Sequence, residues 1–273
     1  MSYPSLVLRE PFRSLWAGRD PFAAVEALDG EVFRELEARR TLRAEVAGRS
    51  WFVKIHRGVG WGEIVKNLCR GRAPILDASN EWQAAARLGP LGVDTLRVAA
   101  FGRRGANPAK RHSFIVTEAL TPTISLEDFC RNWPAHPPAA ALKRALIRRV
   151  ADMARRMHGG GVNHRDFYLC HFLLHLDPTP APENLKLSLI DLHRAQIRRE
   201  TPRRWRDKDL AALYFSALDI GLTRRDVFRF LKDYFARPLR ELLHDEQARL
   251  KTLAGEAERL RERYLRKYAP GAA

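Results

Sequence analysis

HRDFYLCHFLL, running from His164 to Leu174, and LIDLHRA, from Leu189 to Ala195, decide how this chain is read. Asp191 follows Asp166 by 25 residues. Between them the apolar runs FLLHL and LKLSLI flank DPTPAPEN, a stretch rich in turn-forming residues. The spacing predicts two short strands joined as a hairpin, with one carboxylate just before it and one just after. Phosphoryl transfer needs little covalent help from a protein. It needs a cation on the non-transferred phosphates, metal ions, and a group aimed at the attacking hydroxyl.

A candidate exists for each part. Lys54 lies in WFVKIH, a predicted strand, where an ammonium on a packed stem reaches an ATP phosphate. Alone it reads more readily as a solvated strand lysine. Glu81, early in the next predicted helix, is the carboxylate expected to hold Lys54; Asp77 is the nearest rival but lies in the loop before the helix. Asp166, after His164 and Arg165, is placed to accept the proton of an acceptor hydroxyl. His171 stands five residues on, where an oxygen ligand is usual; it either binds metal or hydrogen-bonds to Asp166 or a phosphate. Asp191, at a strand end, is the expected Mg²⁺ ligand. Each residue also has an ordinary reading as a cap, turn former or surface charge. Their order along the chain carries the argument. No clean glycine-rich loop precedes Lys54, so RRTLRAEVAGRS must hold phosphates through backbone NH groups and Arg39, Arg40 or Arg43.

Around these residues the pattern predicts strands on both sides of Gly48, with Trp51, Val53 and Ile55 on one face. Residues 58–79, punctuated by Gly and Pro, read as loop. A helix opens near Ser79 or Asn80 and runs to Gly89; strands follow near Leu96–Phe101 and Ser113–Thr117. Leu142, Leu146, Val150, Met153 and Met157 mark a long buried-face helix ending near His158. Helices are expected over 207–219 and 226–235. The tail, with Leu250, Leu253, Ala257 and Leu260, reads as a packed surface helix.

The 48 Lys and Arg outnumber the 32 Asp and Glu, giving a formal charge of +16. That balance fits nucleic acid, an anionic membrane face, a polyanionic substrate or an acidic protein partner. The Arg-rich runs mostly lack interleaved aromatics, which argues against nucleic acid. Cys69, Cys130 and Cys170 have no metal or redox spacing, as expected in a reducing compartment. No apolar leader or run of about 18 apolar residues is present. There is no GxxxxGK[ST] or GxSxG.

HRDFYLCHFLL and LIDLHRA, with GWGEIVKNLCRGRAPILDASNEW from Gly60 to Trp82, closely resemble the lipopolysaccharide core heptose(I) kinase family, over about Thr41 to Tyr234. The resemblance implies an α+β, bilobal, protein-kinase-like fold. Residues 1–119 would form a nucleotide-binding N-lobe, an antiparallel sheet plus one helix. Residues 120–273 would form a mainly helical C-lobe, catalytic and acceptor-binding. It implies ATP and Mg²⁺ as cofactors, Lys54 on the phosphates, Glu81 as its partner, Asp166 as base and Asp191 as metal ligand. His171 matches a histidine common in the family. Glu118 and Leu120 would hold adenine through backbone groups.

The implied acceptor is a lipid A–core glycolipid, phosphorylated on its first heptose at the cytoplasmic face of the inner membrane. Candidate acceptor-facing bases are Lys66, Arg70 and Arg72, and the run from Arg198 to Lys208, above all Arg203, Arg204 and Arg206. The alternatives are a protein kinase or another small-molecule kinase of the same fold. An aminoglycoside acceptor would call for an acid-rich site, the opposite of this charge balance.

Overall fold

The computed structural model describes residues 4–69, 71 and 74–268. The chain divides into two compact units. One comprises Met1–Ala86, Leu96–Leu120 and Leu192–Arg194, the other Arg87–Thr95, Thr121–Asp191 and Ala195–Ala273.

The first unit is built on a six-stranded antiparallel sheet. Its strands are β1 (Leu6–Leu8), β2 (Glu31–Leu36), β3 (Arg39–Val46), β4 (Arg49–His56), β5 (Val98–Arg104) and β6 (His112–Glu118), in the order β1-β5-β6-β4-β3-β2. Alternation sets the faces. Trp51, Val53 and Ile55 of β4 and Leu42 and Ala44 of β3 are buried in one core with Phe114 and Val116 of β6. Helix α1 (Phe12–Leu15), its C-cap Trp16 and helix α2 (Pro21–Glu26) supply Phe12, Trp16 and Phe22 to this core. The Phe114 ring stands edge-on to Trp16 at 5.8 Å and to Phe22 at 5.0 Å.

The opposite face carries Lys54, flanked across the sheet by Thr41 and Ile115. Helices α3 (Gly60–Cys69) and α4 (Ser79–Leu88) complete the unit's helical part. The expected single helix is α4. The ten-residue α3 lies where glycine and proline predicted loop. Gly60 and Gly62 sit in its first turn, where a glycine costs least, and Ile64 anchors it as the buried residue. Strand β2, also unforeseen, is exposed along its whole length and shows no buried alternation.

The second unit contains α5 (Leu126–Cys130), α6 (Ala140–Gly159), α7 (Arg203–Ser216), α8 (Arg224–Phe235), α9 (Leu239–Asp245) and α10 (Gln247–Tyr268). Along α6, Leu146, Val150, Met153 and Met157 are buried at helical spacing. Thr223 and Asp226 form a reciprocal capping box at the start of α8. Helix α10 packs along α7 with Ala257 fully buried. Strands β7 (Thr123–Ser125), β9 (Phe172–His175) and β10 (Leu187–Leu189) make a small sheet; β8 (Val162–Asn163) pairs with β11 (Gln196–Ile197). The β9–β10 hairpin is the one read from FLLHL and LKLSLI. The expected α+β class, sheet in one unit and mostly helix in the other, is the class observed.

Truncating Phe114 to Ala removes the ring on which Trp16 and Phe22 converge. The expected loss is about 3–5 kcal/mol of unfolding free energy, measured by urea denaturation; a loss below about 1 kcal/mol would show that this core is not the unit's anchor.

Candidate active site

The first unit contributes an ion pair. Lys54 on β4 and Glu81 in the first turn of α4 meet at 2.7 Å between Nζ and Oε1. Glu81 is 1% exposed, and its Oε2 is buried without a hydrogen-bond partner. A buried carboxylate is tolerable because an ammonium touches it. The pair fixes the lysine rotamer and leaves the ammonium at the edge of solvent, with a side-chain exposure of 18%. The rival Asp77 does different work: its Oδ1 accepts from Ser79 N, and its Oδ2 pairs with Arg111 at 3.0 Å. His56, on the Lys54 face, is pushed down to about 4 by burial and then by the charges of Arg39 and Lys54.

The other residues expected in this half are more scattered. Arg43 shares the Lys54 face but is bound to Glu31 at 2.6 Å. Glu118 closes β6; its backbone N–H donates to Arg97 O, and its carboxylate lies 3.6 Å from Arg97. Leu120 ends the Leu96–Leu120 segment of the first unit. Lys66 is exposed on α3 beside Glu63. Arg70 and Arg72 lie outside the described residues.

The second unit gathers Asp166, His171 and Asp191 through two histidines. His164 is fully buried, and burial pushes its pKa down. Its Nε2 lies 2.9 Å from Ile190 O, and Asp166 N–H donates to its Nδ1 at 3.3 Å. A carbonyl only accepts, so Nε2 carries the proton and the ring is neutral. His171 stacks on His164 with ring centroids 5.5 Å apart. Its Nδ1 lies 2.6 Å from Asp166 O, which puts the proton there by the same reasoning. Its Nε2 faces Asp191 Oδ2 at 3.6 Å. Asp191 takes φ 60° and Arg165 φ 75°, left-handed conformations that non-glycine residues adopt only when held.

Asp209 holds Arg165. It is a buried carboxylate on α7 accepting from His164 N at 2.7 Å and Arg165 N at 2.8 Å. His158 Nε2 lies 3.2 Å from the same carboxylate, and Tyr234 OH 2.8 Å from His158 Nδ1. The sequence reading missed this network; its one signal is an acid set directly against the apolar run LAALYF.

Asp191 and the His171 edge are the donors available to a divalent ion. Among the described residues no group of three or more His, Cys, Asp or Glu could hold a metal. That donor set fits Mg²⁺, which is commonly bound by one or two carboxylates together with substrate phosphates and waters. On α7, Arg203 is paired with Glu246 at 3.1 Å, Arg204 is exposed, and Arg206 Nε is buried without a partner.

The family model for the lipopolysaccharide kinase (Kdo/WaaP) family matches residues 23–234. The chain belongs to this family. The lipopolysaccharide core heptose(I) kinase WaaP of Pseudomonas aeruginosa is 62% identical over 258 residues, 94% of this chain and 96% of the relative. The protein of the same name from Escherichia coli is 58% identical over 260 residues, 95% and 98% of the two chains. A solved structure described as WaaP in complex with acyl carrier protein is 58% identical, with a TM-score of 0.83 over 93% of this chain and 98% of that one. As a member of a lipopolysaccharide kinase family the chain is a phosphotransferase, the reaction class the two carboxylates pointed to.

The depressed pKa of His56 predicts a pH signature. A histidine whose folded pKa lies below its unfolded value of about 6.5 contributes stability above that pH and loses it as pH falls. With a folded value of about 4, wild type should lose ground to His56→Gln by about 3 kcal/mol between pH 6.5 and 4. Chemical denaturation at stepped pH reads this; parallel curves for the two proteins would refute it.

Proposed function

We propose that this kinase transfers the γ-phosphate of ATP to a hydroxyl of the first inner-core heptose of lipopolysaccharide, the activity for which its relatives are named. The observation that carries the chemistry is the position of His171, hydrogen-bonded to the Asp166 carbonyl through one nitrogen and facing Asp191 with the other. That ring links the proposed base to the proposed metal ligand.

In this reading Asp166 takes the proton of the heptose hydroxyl as the oxygen attacks phosphorus. Lys54, its rotamer fixed by Glu81, binds the ATP phosphates. Arg43, on the Lys54 face of the sheet, and backbone NH groups of RRTLRAEVAGRS serve the same phosphates. Glu118 and Leu120 offer backbone groups to adenine. Asp191 would hold Mg²⁺, which would neutralise charge on the phosphates. Because Mg²⁺ prefers oxygen ligands, Asp191 would hold the ion and His171 Nε2 would act beside it as a hydrogen-bond acceptor. Arg204 and Arg206 serve the acceptor from α7, where Arg203 is already engaged by Glu246; Lys66 on α3 is a further candidate base for it.

The acceptor is a lipid A–core glycolipid, so the enzyme works at the anionic cytoplasmic face of the inner membrane. No helix among the described residues is long and apolar enough to cross a membrane, which fits peripheral attachment. A net charge of +16 also suits an acidic protein partner, and the solved relative is described in complex with acyl carrier protein.

Asp166→Ala and Asp191→Ala should each lower transfer by about 100-fold or more while the thermal unfolding profile is kept. The measurement is label transfer from ATP to dephosphorylated core glycolipid, with generic protein as a second acceptor. Equal labelling by wild type and Asp166→Ala would remove Asp166 as the base. Label reaching protein in preference to glycolipid would favour the protein-kinase alternative.

A further inference from the structure

The segment from Arg198 to Lys208 leaves β11 and enters α7 with six bases and two acids. One acid is spent elsewhere: Asp207 binds Arg249 at 2.6 Å. Arg203 is likewise satisfied by Glu246. Arg198, Arg204 and Lys208 make no ion pair among the described residues, yet they converge on one ring. Arg198 Cζ, Arg204 Cζ and Lys208 Nζ lie 5.6, 5.3 and 4.8 Å from the Trp205 centroid. The guanidinium of Arg198 finds only neutral partners, Asn163 Oδ1 at 2.6 Å and Gln196 Oε1 at 2.7 Å. Burial, then the charge of Arg204, lowers its pKa, so the cluster repels itself as it stands.

The unsatisfied polar atoms here share a chemistry. Trp205 Nε1, Asn163 Nδ2, Thr201 Oγ1 and Arg206 Nε are buried without a hydrogen-bond partner. Asn163 and Thr201 are fully buried. Every one of these atoms can donate, and three can only donate. The first turn of α7 contains no acid, so its dipole adds positive potential where an acid would ordinarily offset it. Three cations, surplus donors and a helix start call for an oxyanion.

The cluster is tied to the catalytic loop. Asn163 precedes Asp166 by three residues, so their Cα atoms lie within about 10 Å. Gly161 sits against Arg198 so closely that a Cβ would fall 2.0 Å from Arg198 O. The convergence of three cations on a single indole matches one small anionic group beside a sugar better than the broad face of a protein.

We infer that Arg198, Arg204 and Lys208, gathered around Trp205, form an oxyanion subsite for a carboxylate or phosphate that the acceptor carries on a unit neighbouring the phosphorylated sugar. This rests on the glycolipid-kinase reading above and names how that acceptor is held. The exposed pair Arg204 and Lys208 provides the test without breaking an ion pair. Arg204→Gln/Lys208→Gln should raise the acceptor KM by about tenfold, while kcat and the KM for ATP shift by less than about twofold. The penalty should vanish on one of two modified acceptors, one with its phosphates removed and one with its carboxylates converted to amides; which one identifies the anion. Binding of the unmodified glycolipid without ATP should weaken in parallel.

If the variant keeps the wild-type acceptor KM, or its penalty persists on both modified acceptors, the subsite is wrong. Loss of acyl carrier protein binding with an unchanged acceptor KM would reassign the cluster to a protein partner. Wild type that binds the glycolipid through these residues but never phosphorylates it would overturn the kinase reading and leave the subsite standing.

Discussion

The carboxylate of Asp209 is the constraint on which the second unit's chemistry depends. It accepts the backbone N–H groups of His164 and Arg165 and lies against His158. Charge-assisted bonds of this kind are roughly twice as strong as neutral ones. They offset a left-handed Arg165 that would otherwise relax. With Arg165 turned, the Asp166 backbone presents its N–H to one histidine and its carbonyl to another. Tyr234 on α8 closes the far end of the chain of contacts by donating to His158. Helices α6, α7 and α8 thereby set the conformation of a loop that belongs to none of them.

The two histidines translate that fixed loop into a fixed Asp191. His164 donates to Ile190 O, the residue just before the aspartate, and His171 faces the aspartate itself. Neither ring needs a charge to do this. Burial holds His164 neutral, and the carbonyl partner of His171 fixes its tautomer. In the first unit the buried Glu81 holds Lys54, and the nearby His56 stays uncharged between Arg39 and Lys54.

Much of this was legible in the sequence, because periodicity is strong where one face is buried. Leu146, Val150, Met153 and Met157 revealed α6, and the alternation of Trp51, Val53 and Ile55 revealed β4. Lys54 and Glu81 could be placed on a strand and the following helix before any distance was known. Strand β2 stayed hidden because none of its residues is buried, so no alternation marks it. Helix α3 stayed hidden because two glycines at its start read as breakers and only Ile64 faces inward. The partners of Arg43 and Arg203 were illegible for another reason: Glu31 and Glu246 meet them through strand register and helix packing. Asp209 was missed because a buried acid in a helix looks like a solvated one until the backbone it caps is in place.

If Arg198 holds the acceptor and Asp166 takes its proton, as proposed, the strand pair β8–β11 couples the two tasks. Gly161, Val162, Asn163 and His164 are consecutive, and their bonds alternate between the two tasks. Gly161 O accepts from Arg198 N at 2.8 Å, and Asn163 Oδ1 accepts from the Arg198 guanidinium. The next residue, His164, gives its N–H to Asp209. A strand this short has no room to flex between those contacts. An anion seated on Arg198 would therefore load the same four residues that orient Asp166, and the loop that Asp209 holds would be stiffened from its other side.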